Sequence, residues 1–315
     1  MHSGASHIDT TRRRLPLALL AALLLLLPYA MPNAYFYDVA ILISLNAIVC
    51  VGLNLLVGYA GQISLGHAAF YALGGYASAI AASRWGWPAW VSMPAAVIAV
   101  GVLAWIVGRP TLRLKGHYLA MATLGLGVIA SIVLTNEDRY TGGPDGMVVP
   151  PLVLFGYALK GESVWYGIVG VALWCAVWLA LNLIDSPVGR SLRALHGSEV
   201  AAETVGIDSA RWKLRVFVIS ALYAAIAGVL TAHYAGFITP SKASFLHSVE
   251  LVIMVVFGGM ASVWGAVLGA AVLTLLPQFL TVFKDYEMMV FGAVLIATMV
   301  FFPRGVVPTL ARLFR

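Results

Sequence analysis

The chain has 315 residues, is 61% hydrophobic and only 10% charged, and carries a net charge of +6. A water-soluble domain holds about 25% charged residues, so this composition excludes one and points to a polytopic membrane protein. The 13 acidic residues fall between or at the ends of long apolar runs. That leaves no buried carboxylate relay of the kind many pumps and ion-coupled carriers use. The basic excess fits a bias in cytoplasmic loops and does not require nucleic acid as a partner.

Arg12-Arg13-Arg14 precedes an almost unbroken apolar run from Leu15 to Leu27. The layout is that of a secretory signal, but further spans follow at once, so it reads as an uncleaved first span. Later apolar runs fall at 39–57, 62–83, 89–108, 117–135, 163–184, 214–235, 249–283 and 287–302. Together they predict an all-α, polytopic integral membrane protein with about 8–10 transmembrane helices of about 20 residues each. The whole of 1–315 reads as a single transmembrane domain with broken or re-entrant segments. Cys50 and Cys175 both lie inside apolar runs; they make no metal pattern and behave as small hydrophobes. No cofactor or metal is expected.

The stretch 249–283 is too long for one span and is interrupted by Gly258-Gly259-Met260-Ala261-Ser262-Val263-Trp264-Gly265. Positive charge helps to decide how it folds. With Arg12–Arg14 in the cytoplasm and 249–283 crossing twice, every basic residue except Arg84, Arg139, Lys160, Lys242 and Lys284 falls on the cytoplasmic side. A single crossing moves the C-terminal arginines outside and weakens the split. The positive-inside rule therefore favours a double crossing or a re-entrant pair, with both termini cytoplasmic. The segment Gly58-Tyr59-Ala60-Gly61-Gln62-Ile63-Ser64-Leu65-Gly66 would then share its side with Gly258–Gly265. Both are glycine-rich and lead into small-residue helices, either as a degenerate internal repeat or as chance similarity between glycine-rich turns.

Ala68, Ala72, Gly75 and Ala79 lie on one helical face, and Gly265 and Gly269 form a GxxxG pair. Such faces allow close helix approach in lipid, either within the chain or against a second membrane subunit. Polar residues inside the spans are few, and they mark the candidate translocation path: Asn46, Asn54, Gln62, Ser64, His67, Thr123 and Ser131. Non-helical backbone at membrane depth survives only beside protein or a water-filled cavity, which makes the Gly58–Gly66 segment the strongest pointer. His67 reads equally as a hydrogen-bonded packing residue. The stripe through Thr123, Gly127, Ser131 and Thr135 reads equally as helix packing. Ser64 and His67 are a helical turn apart, but the sequence supplies no third group to activate a nucleophile.

The segment 185–213 carries its own helical signals. Ser186-Pro187 is a cap followed by proline at the first helical position. Gly197 closes that helix, and Ser198 caps a second one from Glu199 to Val205 that presents Ala201 and Ala202. Gly206 takes the position after it that favours a left-handed backbone. Asp208 or Ser209 caps the next span. The short helix either lies on the bilayer or docks a cytoplasmic protein. No lysine follows a glycine, so there is no P-loop to cradle nucleotide phosphates.

Six stretches in order, from about residue 45 to 275, resemble the permease family of high-affinity branched-chain amino acid ABC importers, its LivM-like members in particular. They are Gly52–Phe70 (GLNLLVGYAGQISLGHAAF), Tyr118–Leu124 (YLAMATL), Thr141–Met147 (TGGPDGM), Ser186–Leu195 (SPVGRSLRAL), Glu199–Ile207 (EVAAETVGI) and Phe257–Ala270 (FGGMASVWGAVLGA). The resemblance implies a membrane subunit, itself not an enzyme, in an ATP-driven importer of the bacterial inner membrane. Its implied partners are a second homologous permease, two cytoplasmic ATPase subunits and a soluble substrate-binding protein. The resemblance also places ATPase coupling at Glu199, Ala201, Ala202, Glu203 and Gly206. The usual importer pattern there is Glu-Ala-Ala, three residues, Gly; here Val200 stands where the glutamate would be, and Glu199 sits one earlier. The alternative is a secondary, ion-coupled transporter of small solutes. The substrate itself, whether leucine, isoleucine, valine, urea, an amide or an aromatic acid, is not written in the sequence.

Overall fold

The computed structural model describes residues 5–280 except 32, 113, 115, 155, 156 and 160, and beyond them residues 289, 292, 293, 296, 305 and 309. Lys284, Arg304, Arg312, Arg315 and most of the 287–302 run lie outside the described residues. Helices α1 (Ala5–Ala30), α2 (Ala34–Asn54), α3 (His67–Arg84), α4 (Ala89–Thr111) and α5 (His117–Asn136) come first. An excursion follows with α6 (Asp138–Thr141) and the two-residue strands β1 (Met147–Val148), β2 (Val153–Leu154) and β3 (Tyr157–Ala158). Then come α7 (Glu162–Asp185), α8 (Pro187–Gly197), α9 (Glu199–Thr204), α10 (Ser209–Ala235), β4 (Phe237–Ile238), α11 (Phe245–Gly258) and α12 (Val263–Leu280).

Six of the described helices are long and apolar enough to cross a membrane: α2 extended to Tyr59, α4, α5, α7, α10 and α12. Leu15–Tyr29 within α1 and Phe245–Gly258 are shorter apolar helices. The fold is thus an all-α polytopic bundle, as the apolar runs predict. α2 and α10 form its centre: 83% and 67% of their apolar windows are buried, against 28% in both α4 and α5. The small residues of α3 let it lie directly on α10. A Cβ on Gly74 would press into Ala225, and one on Gly228 would collide with the Tyr71 carbonyl. Close backbone approach of this kind replaces the hydrophobic drive that lipid does not supply.

The helices alternate in direction. α1 lies antiparallel along α7, with Trp174 Nε1 donating to the Leu17 carbonyl at 3.3 Å and Tyr166 Oη to the Leu24 carbonyl at 2.9 Å. The start of α1, the link after α4 and the α8–α9 loop therefore share one end of the bundle. Arg109, Arg190, Arg193, Arg211, Lys213 and Arg215 gather there, so it is called the basic end below. The opposite end holds Arg84, Arg139 and the pairing of β1 with β4, Met147 opposite Ile238.

The stretch 249–283 divides into α11 and α12 around a turn at residues 259–262, at the basic end. Gly258, Gly265 and Gly269 bring the two helices into backbone contact. Gly305 lies against Gly259, so the chain has returned to this end after α12. This division into two helices around a turn is compatible with either form of the charge-based expectation, a double crossing or a re-entrant pair. The GxxxG pair is consumed within the chain: a Cβ on Gly269 would meet the Met254 carbonyl, and one on Gly265 would lie 2.6 Å from the Gly258 carbonyl. Of the two readings the sequence leaves open for this pair, the fold takes the intramolecular one.

Candidate functional site

α2 ends in a single π-helical turn, Leu55–Tyr59, a form often found at functional positions. Residues 61–66 then run without regular structure before α3 begins. That start is deep in the bundle. His67 meets Ser220 of α10, about 16 Å along that helix from Ser209 at 1.5 Å per residue. Leu65 meets Thr123 of α5, about 9 Å from His117 on the same scale. Residues 62–66 are therefore non-helical backbone at the depth of the spans, and protein groups satisfy them. Gln62 N donates to the Leu56 carbonyl at 3.1 Å. Leu65 N donates to Thr123 Oγ1 at 3.0 Å.

α11 also starts inside the bundle. Its cap, Ser244 Oγ, accepts from His247 N at 3.3 Å, and Ser248 Oγ accepts from Ala68 N in the first turn of α3 at 3.1 Å. The His247 ring stands edge-on to Tyr71 with centroids 5.4 Å apart. α3 runs from this point toward the opposite end and α11 runs back toward the basic end. Two helix N-termini, each carrying a partial positive charge, thus meet within the bundle.

The sequence-predicted residues divide among several places. Ser64, His67 and Thr123 do come together at the start of α3. Ser64 Oγ lies 2.9 Å from His67 Nδ1, and Ser220 Oγ lies 2.7 Å from His67 Nε2. His67 is fully buried, with Phe70 and Phe217 edge-on to its ring. In this conformation both ring nitrogens are used, which is the packing arrangement. Gln62 lies in the same segment, 4% exposed, and neither atom of its amide has a partner.

Asn54 and Asn46 lie elsewhere. Asn54 Nδ2 donates to the Ser262 carbonyl at 2.7 Å, and its Oδ1 accepts from Ala261 N at 3.0 Å. Its amide thereby clamps the α11–α12 turn, in which Ala261 has a φ of 59°, unusual for a residue other than glycine. Gly58 packs on the same turn, so the two glycine-rich segments singled out in the sequence touch. Asn46 Nδ2 donates to Thr274 Oγ1 of α12 at 2.9 Å. Ser131 is partly buried on α5, two turns beyond Thr123.

Sequence reasoning missed Ser220, a hydroxyl inside the 214–235 run that the same criterion would have found, and Ser248, which lies one residue before the 249–283 run. It also missed a cavity of about 630 Å³ at the opposite end, lined by Asp38, Glu162, Trp165, His233 and Tyr234. Tyr234 Oη donates to Asp38 Oδ1 there. His233 Nε2 pairs with Ser78 Oγ at 2.8 Å.

At the basic end, the cap geometry of the 185–213 loop follows the expected pattern. Ser186 Oγ accepts from Val188 N at 3.1 Å, Ser198 Oγ from Ala201 N at 3.3 Å, and Asp208 Oδ1 from Arg211 N at 3.0 Å. Gly206 has a φ of 84°. Glu199 pairs with Lys213 of α10, and Ala202 is buried. The expected surface of Ala201 and Ala202 is therefore corrected: Ala202 packs inward because its side of α9 faces α10. Val200, Ala201, Glu203 and Val205 are exposed instead. The loop also touches the broken segment. Gly61 has a φ of 67°, and a Cβ there would lie 2.8 Å from His196 Nδ1 of α8.

Comparison with known proteins adds the family. The profile described as branched-chain amino acid transport system / permease component matches residues 35–299. The high-affinity branched-chain amino acid transport system permease protein LivM of Escherichia coli (strain K12) is 32% identical over 95% of this chain and 76% of its own length. The corresponding LivH protein of E. coli is 26% identical over 84% of this chain and 91% of its own. The BraD protein of Pseudomonas aeruginosa is 27% identical over 88% and 97%. No solved structure matches the chain.

Proposed function

The chain belongs to the family of branched-chain amino acid transport system permease components, and from that premise we propose that it is the transmembrane permease subunit of an ATP-driven importer of branched-chain or closely related amino acids. The observation that carries a transport path is the meeting of two helix starts inside the bundle, at Ala68 and Ser248. Broken helices of this kind place polar backbone and positive helix ends where a small zwitterion passes. Ser64, His67 and Thr123 hold the segment in its present form. Gln62 is the side chain with free hydrogen-bonding capacity in it, and Asn46, Asn54 and Ser131 flank the path. The acidic cavity at the opposite end is its mouth.

The basic end faces the cytoplasm in this reading, and both termini lie there. A second permease completes the path, two ATPase subunits bind the exposed side of α9, and a soluble binding protein delivers substrate to the opposite end. Movement of α9 reaches α10 through the Glu199–Lys213 pair and the 61–66 segment through His196 on Gly61. Substrate affinity resides mainly in the binding protein, and this chain alternates access.

Uptake of labelled leucine into proteoliposomes containing the full complex tests the reading. Uptake should require ATP and both ATPase subunits. Uptake driven by a proton or sodium gradient without the ATPases would instead establish the secondary carrier.

A further inference from the structure

We propose that the groove between the basic-end tips of α4, α7 and α10 is a binding site for an anionic phospholipid. The groove encloses about 560 Å³. Three arginines from two helices line it: Arg109 on α4, and Arg211 and Arg215 at the start of α10. Arg109 Cζ stands 3.9 Å from the ring centre of Trp105, and Arg215 Cζ stands 4.7 Å from that of Trp212. Stacking holds each guanidinium plane while leaving its N–H edge free. Arg211 is paired with Asp208 at 2.9 Å, whereas neither Arg109 nor Arg215 has a carboxylate partner among the described residues. Two fixed guanidinium edges suit a phosphate, which accepts paired N–H bonds.

The walls identify which phosphate. About one turn further into the span than Arg215, Val218 and Ile219 of α10 line the groove, and Leu183 of α7 and Leu214 of α10 add apolar wall beside the arginines. A soluble phosphate has no use for such a floor, and a cytoplasmic protein does not reach span depth. A lipid fills both parts, with its headgroup phosphate on the arginines and its acyl chain on the leucine and valine side chains. Tryptophan beside arginine at a span end is also the composition of a membrane interface, and basic pockets between spans take anionic headgroups. Val188 of α8 forms part of the same wall. A bound lipid would therefore brace the helix that leads into α9. The inference depends on the membrane placement of these helices and not on what the chain transports.

The test is native mass spectrometry of the full complex in detergent, titrated with phosphatidylglycerol or phosphatidylcholine. Wild type should retain phosphatidylglycerol preferentially. Each arginine near an anionic headgroup is worth a factor of about five, so the Arg109→Gln/Arg215→Gln variant should bind it roughly 25-fold more weakly. Val218→Trp, which fills the floor and leaves the charges, should also weaken it, and serves if the arginine variant does not assemble. Arg84→Gln/Arg139→Gln at the opposite end should change nothing. Equal retention of the two lipids, or undiminished phosphatidylglycerol binding in both groove variants, would overturn the proposal. Displacement of the lipid by millimolar inorganic phosphate would make the groove a soluble-anion site. Loss of the ATPase subunits from the arginine variant, with lipid binding unchanged, would make it a protein interface.

Discussion

Asn54 shows how much one side chain decides. It sits on the most buried span, and its amide holds the Ala261 N–H and the Ser262 carbonyl of a turn two hundred residues away in sequence. Leucine has the same branched shape but would take the side-chain partner from both backbone groups of this partly exposed turn. Each lost bond is worth about 0.5–1.5 kcal/mol, so Asn54→Leu should destabilise the protein by about 1–3 kcal/mol. Asn46→Leu, which loses one partly buried bond to Thr274, should cost about 1 kcal/mol. Thermal unfolding of the two variants in detergent compares them; equal midpoints would remove Asn54 from its role as a clamp. Asparagine inside an apolar run is visible in the sequence as an anomaly. Whether it faces a substrate or a backbone depends on a partner that only the fold supplies.

At the scale of elements, α9 and the α11–α12 pair carry the sharper predictions. If α9 docks ATPases as proposed, replacing the exposed Val205 with glutamate should leave the chain inserted and folded while abolishing ATP-dependent uptake, because it alters only that surface. Ala202→Arg should act differently. Residue 202 is buried beneath α9, so arginine there should lower the yield of folded protein as well as uptake. Size-exclusion profiles and uptake, measured together, separate the two cases. If Val205→Glu transports like wild type, α9 is a surface-lying helix and not a coupling element. Gly269→Leu should likewise strike the chain itself. Its side chain would enter the backbone of α11 at Met254, and overpacking of this kind costs about 1–3 kcal/mol or more. A variant that folds normally but loses its partner permease would return the GxxxG pair to the subunit interface.

At the scale of the whole molecule, the prediction is sidedness. Arg190 and the α8–α9 loop lie at the basic end, while Asp145 lies in the excursion at the other. In a background without Cys50 and Cys175, a cysteine at 145 should react with an impermeant reagent from outside the cell. One at 190 should react only after the membrane is opened. The reverse pattern would invert the importer reading, because the ATPase surface and the delivery surface would exchange places.

Some of this architecture was determined by the sequence alone, through effects that act locally. Apolar runs of span length must be helical, because lipid offers no partner to a free peptide group. Ser186, Ser198 and Asp208 cap their helices through bonds to residues two or three along, so the α8–α9 loop was legible almost to the residue. Gly58–Gly66 and Gly258–Gly265 announced breaks for the same reason. What those breaks do was decided only by tertiary structure. That α3 and α11 begin inside the bundle follows from hydroxyls on α5 and α10 and from Ser248 reaching across to Ala68. That Ala202 faces inward follows from where α10 passes. The small-residue faces likewise became internal contacts because α10 and α11 were there to fill them. Helix periodicity states that a face exists; which surface meets it depends on contacts between residues far apart in the chain, and no local pattern encodes those.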